Sequence, residues 1–281
     1  MDSRNGNLDI YGYNLSTGEE FAICTNPAEQ DSPAISGDIV VWEDERNGEY
    51  AWDIYGYDLA TRTEFAICTA LDNQWGPAIS GSIVVWWDTQ LEGEMGDIYG
   101  YSLSTDTEFP IYAAPAMQIW PSISGDIVVC VNNSIFQDVE PIDRDIYGYN
   151  LSTGTEFPIC TDPGDQTAPA ISGDIVVWMN ERIDHYDIYG YDLATATEFP
   201  ICTNLADQLA PAISGDIVVW MDSRNGNLDI YGYNLSTGEE FAICTDPGPQ
   251  LMPAISGDIV VWADKRNGNY DIYAAILSFE E

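Results

Sequence analysis

Basic residues are scarce in this chain. It has 8 lysines and arginines against 47 aspartates and glutamates in 281 residues, a net charge of -39. A field of that sign repels phosphate backbones and anionic bilayers, so neither nucleic acid nor membrane insertion is expected. It suits cations, basic partners or a salty medium. Histidine is limited to His185, which rules out a multi-histidine metal site and reads as a solvent-facing loop residue. No CxxC pair offers a zinc site, no nucleophile-elbow motif accompanies the histidine, and no glycine-rich phosphate loop is present. No run of roughly 18 apolar residues could cross a bilayer as a helix, and no basic, apolar leader opens the chain. Helical periodicity is absent throughout. These absences predict no cofactor, no metal site and no catalytic residue.

What is present is a repeat. Ile-Val-Val followed by Trp, or a near match, begins at residues 39, 83, 127, 175, 217 and 259. Asp-Ile-Tyr begins at residues 9, 53, 97, 145, 187, 229 and 271, at spacings of 44, 44, 48, 42, 42 and 42. A period of about 40–45 residues suits a four-stranded propeller blade. The full repeat, residues 211–245, divides into four short strands: Pro211–Ser214, Ile217–Trp220, Asp229–Leu235 and Glu240–Thr245. The second is apolar without alternation, so both of its faces must be covered, as they are in a blade packed between two others. Asn225-Gly226 marks a tight hairpin, and Gly232 leaves room for a facing side chain. Residues 1–25 are identical to residues 221–245, so the chain begins inside a repeat.

Counting strands gives six copies of the first, second and fourth types and seven of the third. The expected fold is therefore all-β: one six-bladed β-propeller over 1–281, of four-stranded antiparallel blades, closed by strands from both termini. Residues 1–25 would complete the last blade, begun at 253–281. One third-type strand, Asp9–Leu15 or Asp271–Leu277, is then surplus, and it offers a route to a dimer. The innermost strands should line the channel.

The repeat Pro-Ala-Ile-Ser-Gly-Asp-Ile-Val-Val-Trp, its Asp-Ser-Arg-Asn-Gly loop and its Asp-Ile-Tyr-Gly-Tyr strand resemble the repeats of TolB-like six-bladed propellers over essentially the whole chain. This version is similar to repeats in cell-surface proteins of methanogenic archaea. The resemblance implies an extracellular or cell-surface binding or scaffold domain rather than an enzyme.

Most recurring residues have an architectural reading. Cys24, Cys68, Cys160, Cys202 and Cys244 share one position and Cys130 replaces a recurring Trp; all read as buried thiols. Arg4, Arg46, Arg182, Arg224 and Arg266 share another, where an ion pair with the next strand's Asp (Arg46 with Asp53) is expected. The oxygen-rich loop Asp222, Asn225, Asn227, Asp229 raises calcium, although its spacing is not that of an EF-hand. A Gln precedes each first strand (Gln30, Gln74, Gln118, Gln166, Gln208, Gln250), placed to satisfy backbone groups between blades. Asn14, Asn132, Asn150 and Asn234 sit in glycosylation tripeptides.

Two places break the copying. The loop of residues 132–144 is about six residues longer than its sisters. The pair between each Gln and its Pro also varies: Asp31-Ser32, Trp75-Gly76, Ile119-Trp120, Thr167-Ala168, Leu209-Ala210 and Leu251-Met252. These pairs should ring one mouth of the channel, which makes Trp75, Ile119, Trp120, Leu209, Leu251 and Met252 the candidate ligand-binding residues. The expected ligand is a protein or a glycan. The competing readings are a carbohydrate-active hydrolase using channel carboxylates and a calcium-dependent adhesion domain.

Overall fold

The computed structural model describes residues 3–48, 51–71, 73–89, 96–111, 117–133, 144–181 and 185–279. Every element among them is a strand. The chain divides into two compact units, residues 1–128 and 129–281.

The first unit opens with a two-stranded hairpin, β1 (Ile10–Asn14) and β2 (Glu19–Cys24). Two complete blades follow, each an antiparallel sheet in chain order. They are β3 (Gln30–Ser36), β4 (Ile39–Asp44), β5 (Asp53–Asp58) and β6 (Thr63–Cys68), then β7 (Asn73–Ser80), β8 (Ile83–Thr89), β9 (Asp97–Ser102) and β10 (Thr107–Pro110). The third blade, at whose second strand the chain divides, is β11 (Met117–Ser124), β12 (Ile127–Asn133), β13 (Arg144–Asn150) and β14 (Thr155–Cys160). The second unit continues with β15 (Gln166–Ser172), β16 (Ile175–Glu181), β17 (Tyr186–Asp192) and β18 (Thr197–Cys202). Next come β19 (Gln208–Ser214), β20 (Ile217–Asp222), β21 (Asp229–Asn234) and β22 (Glu239–Cys244). A three-stranded sheet ends it: β23 (Gln250–Ser256), β24 (Ile259–Asp264) and β25 (Asp271–Ile276).

The first strand of each blade starts at the Gln or, in β7 and β11, one residue before it, rather than at the expected Pro. The strand is longer because a bulge, not a turn, precedes the Pro: register jumps between Leu209 and Ala212 and at the matching places in β3, β7, β15 and β23. The residue before each Pro takes the left-handed conformation, from Ala210 at φ 50° to Gly76 at φ 58°. The apolar second strands are buried on both faces, with Val218, Val219 and Trp220 fully enclosed. Blades pack face to face within each unit: Val84 and Trp86 lie on Val41 and Ile54, and Val260 and Trp262 lie on Val219 and Ile230. Serine hydroxyls at the ends of the first strands accept the next blade's turn amide, as Ser36 does from Gly81 and Ser214 from Gly257, at 3.0 and 2.9 Å.

β2 pairs with β1, and β25 pairs with β24 and has no strand on its outer edge among the described residues. A short turn joins β1 to β2, so their pairing costs little loop entropy. In the third strands, a Cβ added at Gly232 or Gly56 would lie 2.7 Å from the ring of Phe241 or Phe65 on the fourth strand. β25 has Ala274 at that position, and β1 keeps Gly12 under Phe21. The outward side of β25 is bare, with Ile272 69% and Ile276 74% exposed.

Candidate functional site

The pairs that break the copying fall on the bulged starts of the first strands, and in the first unit they come together. Asp31 on β3 stands opposite Glu43 on β4. One blade on, Trp75 on β7 stands opposite Trp87 on β8 in the same register. The two blades meet where the Gly76 amide donates to Glu43 Oε1 at 2.5 Å. Trp75 also faces Trp52, in the loop before β5, with ring centroids 5.2 Å apart, and lies 6.2 Å from Trp87. All three rings are half-buried. Two glycines that the other repeats lack make room for Trp87: a Cβ on Gly76 would approach it to 3.3 Å, and one on Gly96 to 3.1 Å.

Glu43 is 5% exposed. Burial pushes its carboxyl up to about 7, the Gly76 amide and the Ser32 hydroxyl pull it back, and Asp31 adds to the rise. The second unit shows what this position does without an acid. Met179 and Met221 stand where Glu43 stands, and their sulfurs face the amides of Ala210 and Met252 at 3.2 and 3.3 Å.

The remaining candidates separate by environment. Ile119 is buried, whereas Trp120 is 43% exposed. Leu209 and Leu251 are partly buried and pack against the Val219–Val260 cluster. Met252 is 70% exposed. Glu43, Trp52 and Trp87 lie outside the variable pairs before the Pro. The residue after each recurring Trp varies just as freely (Glu43, Trp87, Val131, Met179, Met221, Ala263), and that signal was readable.

The arginines find a different partner from the one expected. Arg46 binds Asp44 on its own loop at 2.6 Å and also Glu64 on β6, and it stacks 4.0 Å over Tyr55. Arg224 repeats this with Asp222 at 2.6 Å, Glu240 at 2.5 Å and Tyr231 at 4.2 Å. The expected partner, Asp53, is taken by Asn47 instead, at 2.6 Å. Arg266 and the Trp262 indole hold the Asp264 carboxyl well below the usual range. In the oxygen-rich loop, Asn225 and Asn227 donate to Asp229 at 2.7 and 2.8 Å, and Trp220 and Arg224 occupy Asp222. The loop oxygens thus have internal donors. Among the described residues one group has metal-ligand spacing, Cys160, Asp162 and Glu198.

All six cysteines are buried and free, and burial raises the Cys24, Cys68, Cys160 and Cys202 thiols to about 12. Gln30, Gln166, Gln208 and Gln250 donate to carbonyls of the linkers between blades, Gln250 to those of Gly248 and Asp246 at 2.6 and 3.0 Å, whereas Gln74 donates to Asp88 at 3.3 Å. His185 is less open than expected, with Nε2 3.2 Å from Asp187 and a side chain 21% exposed. Most of the long loop, residues 134–143, lies outside the described residues. A cavity of about 620 Å³ in the second unit is lined by Asn234, Glu240, Phe241 and Phe279; Phe279 meets Phe241 edge to face at 5.5 Å, which makes it a slot beside the C-terminal stretch.

Solved β-propellers, TolB among them, are similar in fold to this architecture. TolB from Acinetobacter baumannii matches with a TM-score of 0.63 at 17% identity, over 86% of this chain and 62% of that one. The chain thus spans under two thirds of that TolB's length. An oligogalacturonate lyase from Vibrio parahaemolyticus matches with a TM-score of 0.71 at 13% identity, over 98% of this chain and 85% of that one. The propeller domain of the Trilobed protease from Pyrococcus furiosus, described as having an open velcro topology, matches with a TM-score of 0.51 at 14% identity, over 88% and 92%. At these identities the likeness is one of fold. No protein-family model and no curated protein matches the sequence. No helix of the described residues is long and apolar enough to cross a membrane.

Proposed function

We propose that this chain is a non-enzymatic binding propeller that works outside the cytoplasm, on a cell surface or as a secreted domain, and recognises a ligand at the bulged starts of its first strands. The repeat's likeness to surface-protein repeats supports the location. One observation carries the binding site. In a chain that otherwise copies its frame, an acid pair and a tryptophan pair stand side by side where later repeats hold Leu209 with Met221 and Leu251 with Ala263. Half-open aromatic faces beside carboxylates are a recognition surface for proteins and sugars.

The test compares wild type with the Trp75→Ala, Trp120→Ala double variant in pull-down from native surface extracts and on a glycan array. Binding that falls at least tenfold in the double variant is expected. Equal binding by both proteins overturns the reading.

The Asp31–Glu43 pair also favours a second reading, a carbohydrate-active enzyme, because one of two neighbouring carboxyls is held near neutrality as a general acid would be. The placement argues against it. Residues opposite each other on paired strands have Cβ atoms about 5 Å apart on one face. Glycoside hydrolysis needs carboxylates on either side of the scissile bond. Reducing-sugar or unsaturated-product release that Glu43→Gln abolishes would establish the enzyme.

A further inference from the structure

We propose that Asp31, Glu43 and the ring of Trp75 form a receptor for a cationic side chain, so that the ligand is a lysine- or arginine-bearing protein segment rather than a neutral glycan. This rests on the binding reading above. Asp44, Asp222 and Asp264 on the second strands each hold an arginine. The Asp31–Glu43 pair holds none: its donors are the backbone amides of Gly76 and Ser32, both at 2.5 Å, and the Ser32 hydroxyl. No basic side chain pairs with either acid among the described residues. Like charges directly opposite on paired strands are destabilising.

The structural task at this position does not require an acid, since Met179 and Met221 meet the same amide. An uncompensated acid pair beside an aromatic wall is complementary to a cation, which the carboxylates bind by charge and the indole by its quadrupole. The protein already uses that geometry internally, with arginines 4.0–4.4 Å above Tyr55, Tyr11 and Tyr273. A neutral sugar would stack on Trp75 but leave the two charges facing each other. An overall charge of -39 steers a cation to any such site.

The experiment titrates full-length protein with tetralysine, with tetralysine acetylated on every side chain and with neutral cellotetraose, following tryptophan fluorescence at 150 mM salt. Tetralysine is expected to bind, and acetylation to weaken it at least tenfold. Asp31→Asn and Glu43→Gln should each weaken tetralysine about tenfold, the worth of one charge-assisted bond. Glu43→Gln keeps the acceptor for Gly76, and matching circular dichroism melts would show that both variants fold. Glu239→Gln, the same charge change on an exposed strand elsewhere, should bind as wild type. Equal weakening by Asp31→Asn and Glu239→Gln would mean bulk attraction and overturn the proposal. Cellotetraose binding that Trp75→Ala abolishes, without tetralysine binding, would overturn the cation assignment and leave the binding reading standing. Binding of every probe unchanged by Trp75→Ala with Trp120→Ala would remove both.

Discussion

At the scale of single residues, Glu43 is a buried acid that the fold holds at a cost. Its carboxyl titrates near 7 when folded and near 4.5 when free, so the folded state holds the proton more tightly. Its contribution is therefore most favourable below about pH 4.5 and is lost as the pH rises through 7. The shift corresponds to about 3 kcal/mol. Glu43→Met, the residue that β16 and β20 use, should raise stability by roughly 1–3 kcal/mol at pH 8 and by much less at pH 5. Urea denaturation at the two pH values checks this; an equal gain at both would mean that the effect is packing. A residue that costs stability where the repeat offers a cheaper one is the kind of local exception that function leaves behind. The arginines show the opposite. Arg46 and Arg224 close the same clamp of aspartate, glutamate and tyrosine in two blades, which marks them as frame.

At the scale of the element, the third and fourth strands interlock through one glycine and one phenylalanine. Gly232→Ala would drive a methyl to 2.7 Å from Phe241 and should cost about 1–3 kcal/mol, the usual range for overpacking. A thermal melt reads this directly, and an unchanged melting temperature would show that the ring moves aside freely. Gly232 was legible in the sequence as a place for a facing side chain, as were the hairpin at Gly226, with φ 92°, and the buried second strands. These follow from local chemistry repeated six times. The left-handed residue before each proline was not legible, because Ser32, Trp120, Ala168, Ala210 and Met252 carry no glycine-like signature there. Nor was the partner of Arg46. Sequence spacing pointed to Asp53, and the loop's curl brings Asp44 to Arg46 instead. In the candidate site, Trp75 and Trp120 could be picked out because they vary in an obvious slot. Trp87 faces Trp75 and Glu43 faces Asp31 from the neighbouring strand, and cross-strand register is what a sequence conceals.

At the scale of the whole molecule, the governing quantity is charge. With 47 acids and 8 bases, folding brings like charges together, and the arginine clamps offset only a few of them. Salt screens such repulsion, with a Debye length of about 10 Å at 0.1 M and about 3 Å at 1 M. The melting temperature should therefore climb by several degrees between 0.05 and 1 M sodium chloride. A flat or falling response would show that the acids are already neutralised locally. The number of blades was legible in the strand count, because each repeat carries its own four-strand pattern. Ala274 has a consequence of another kind. Interior repeats bring glycine to their phenylalanine, whereas β25 brings alanine. The two strands are therefore not interchangeable: β21 accepts a phenylalanine-bearing neighbour as it stands, and β25 would do so only if the ring moved aside.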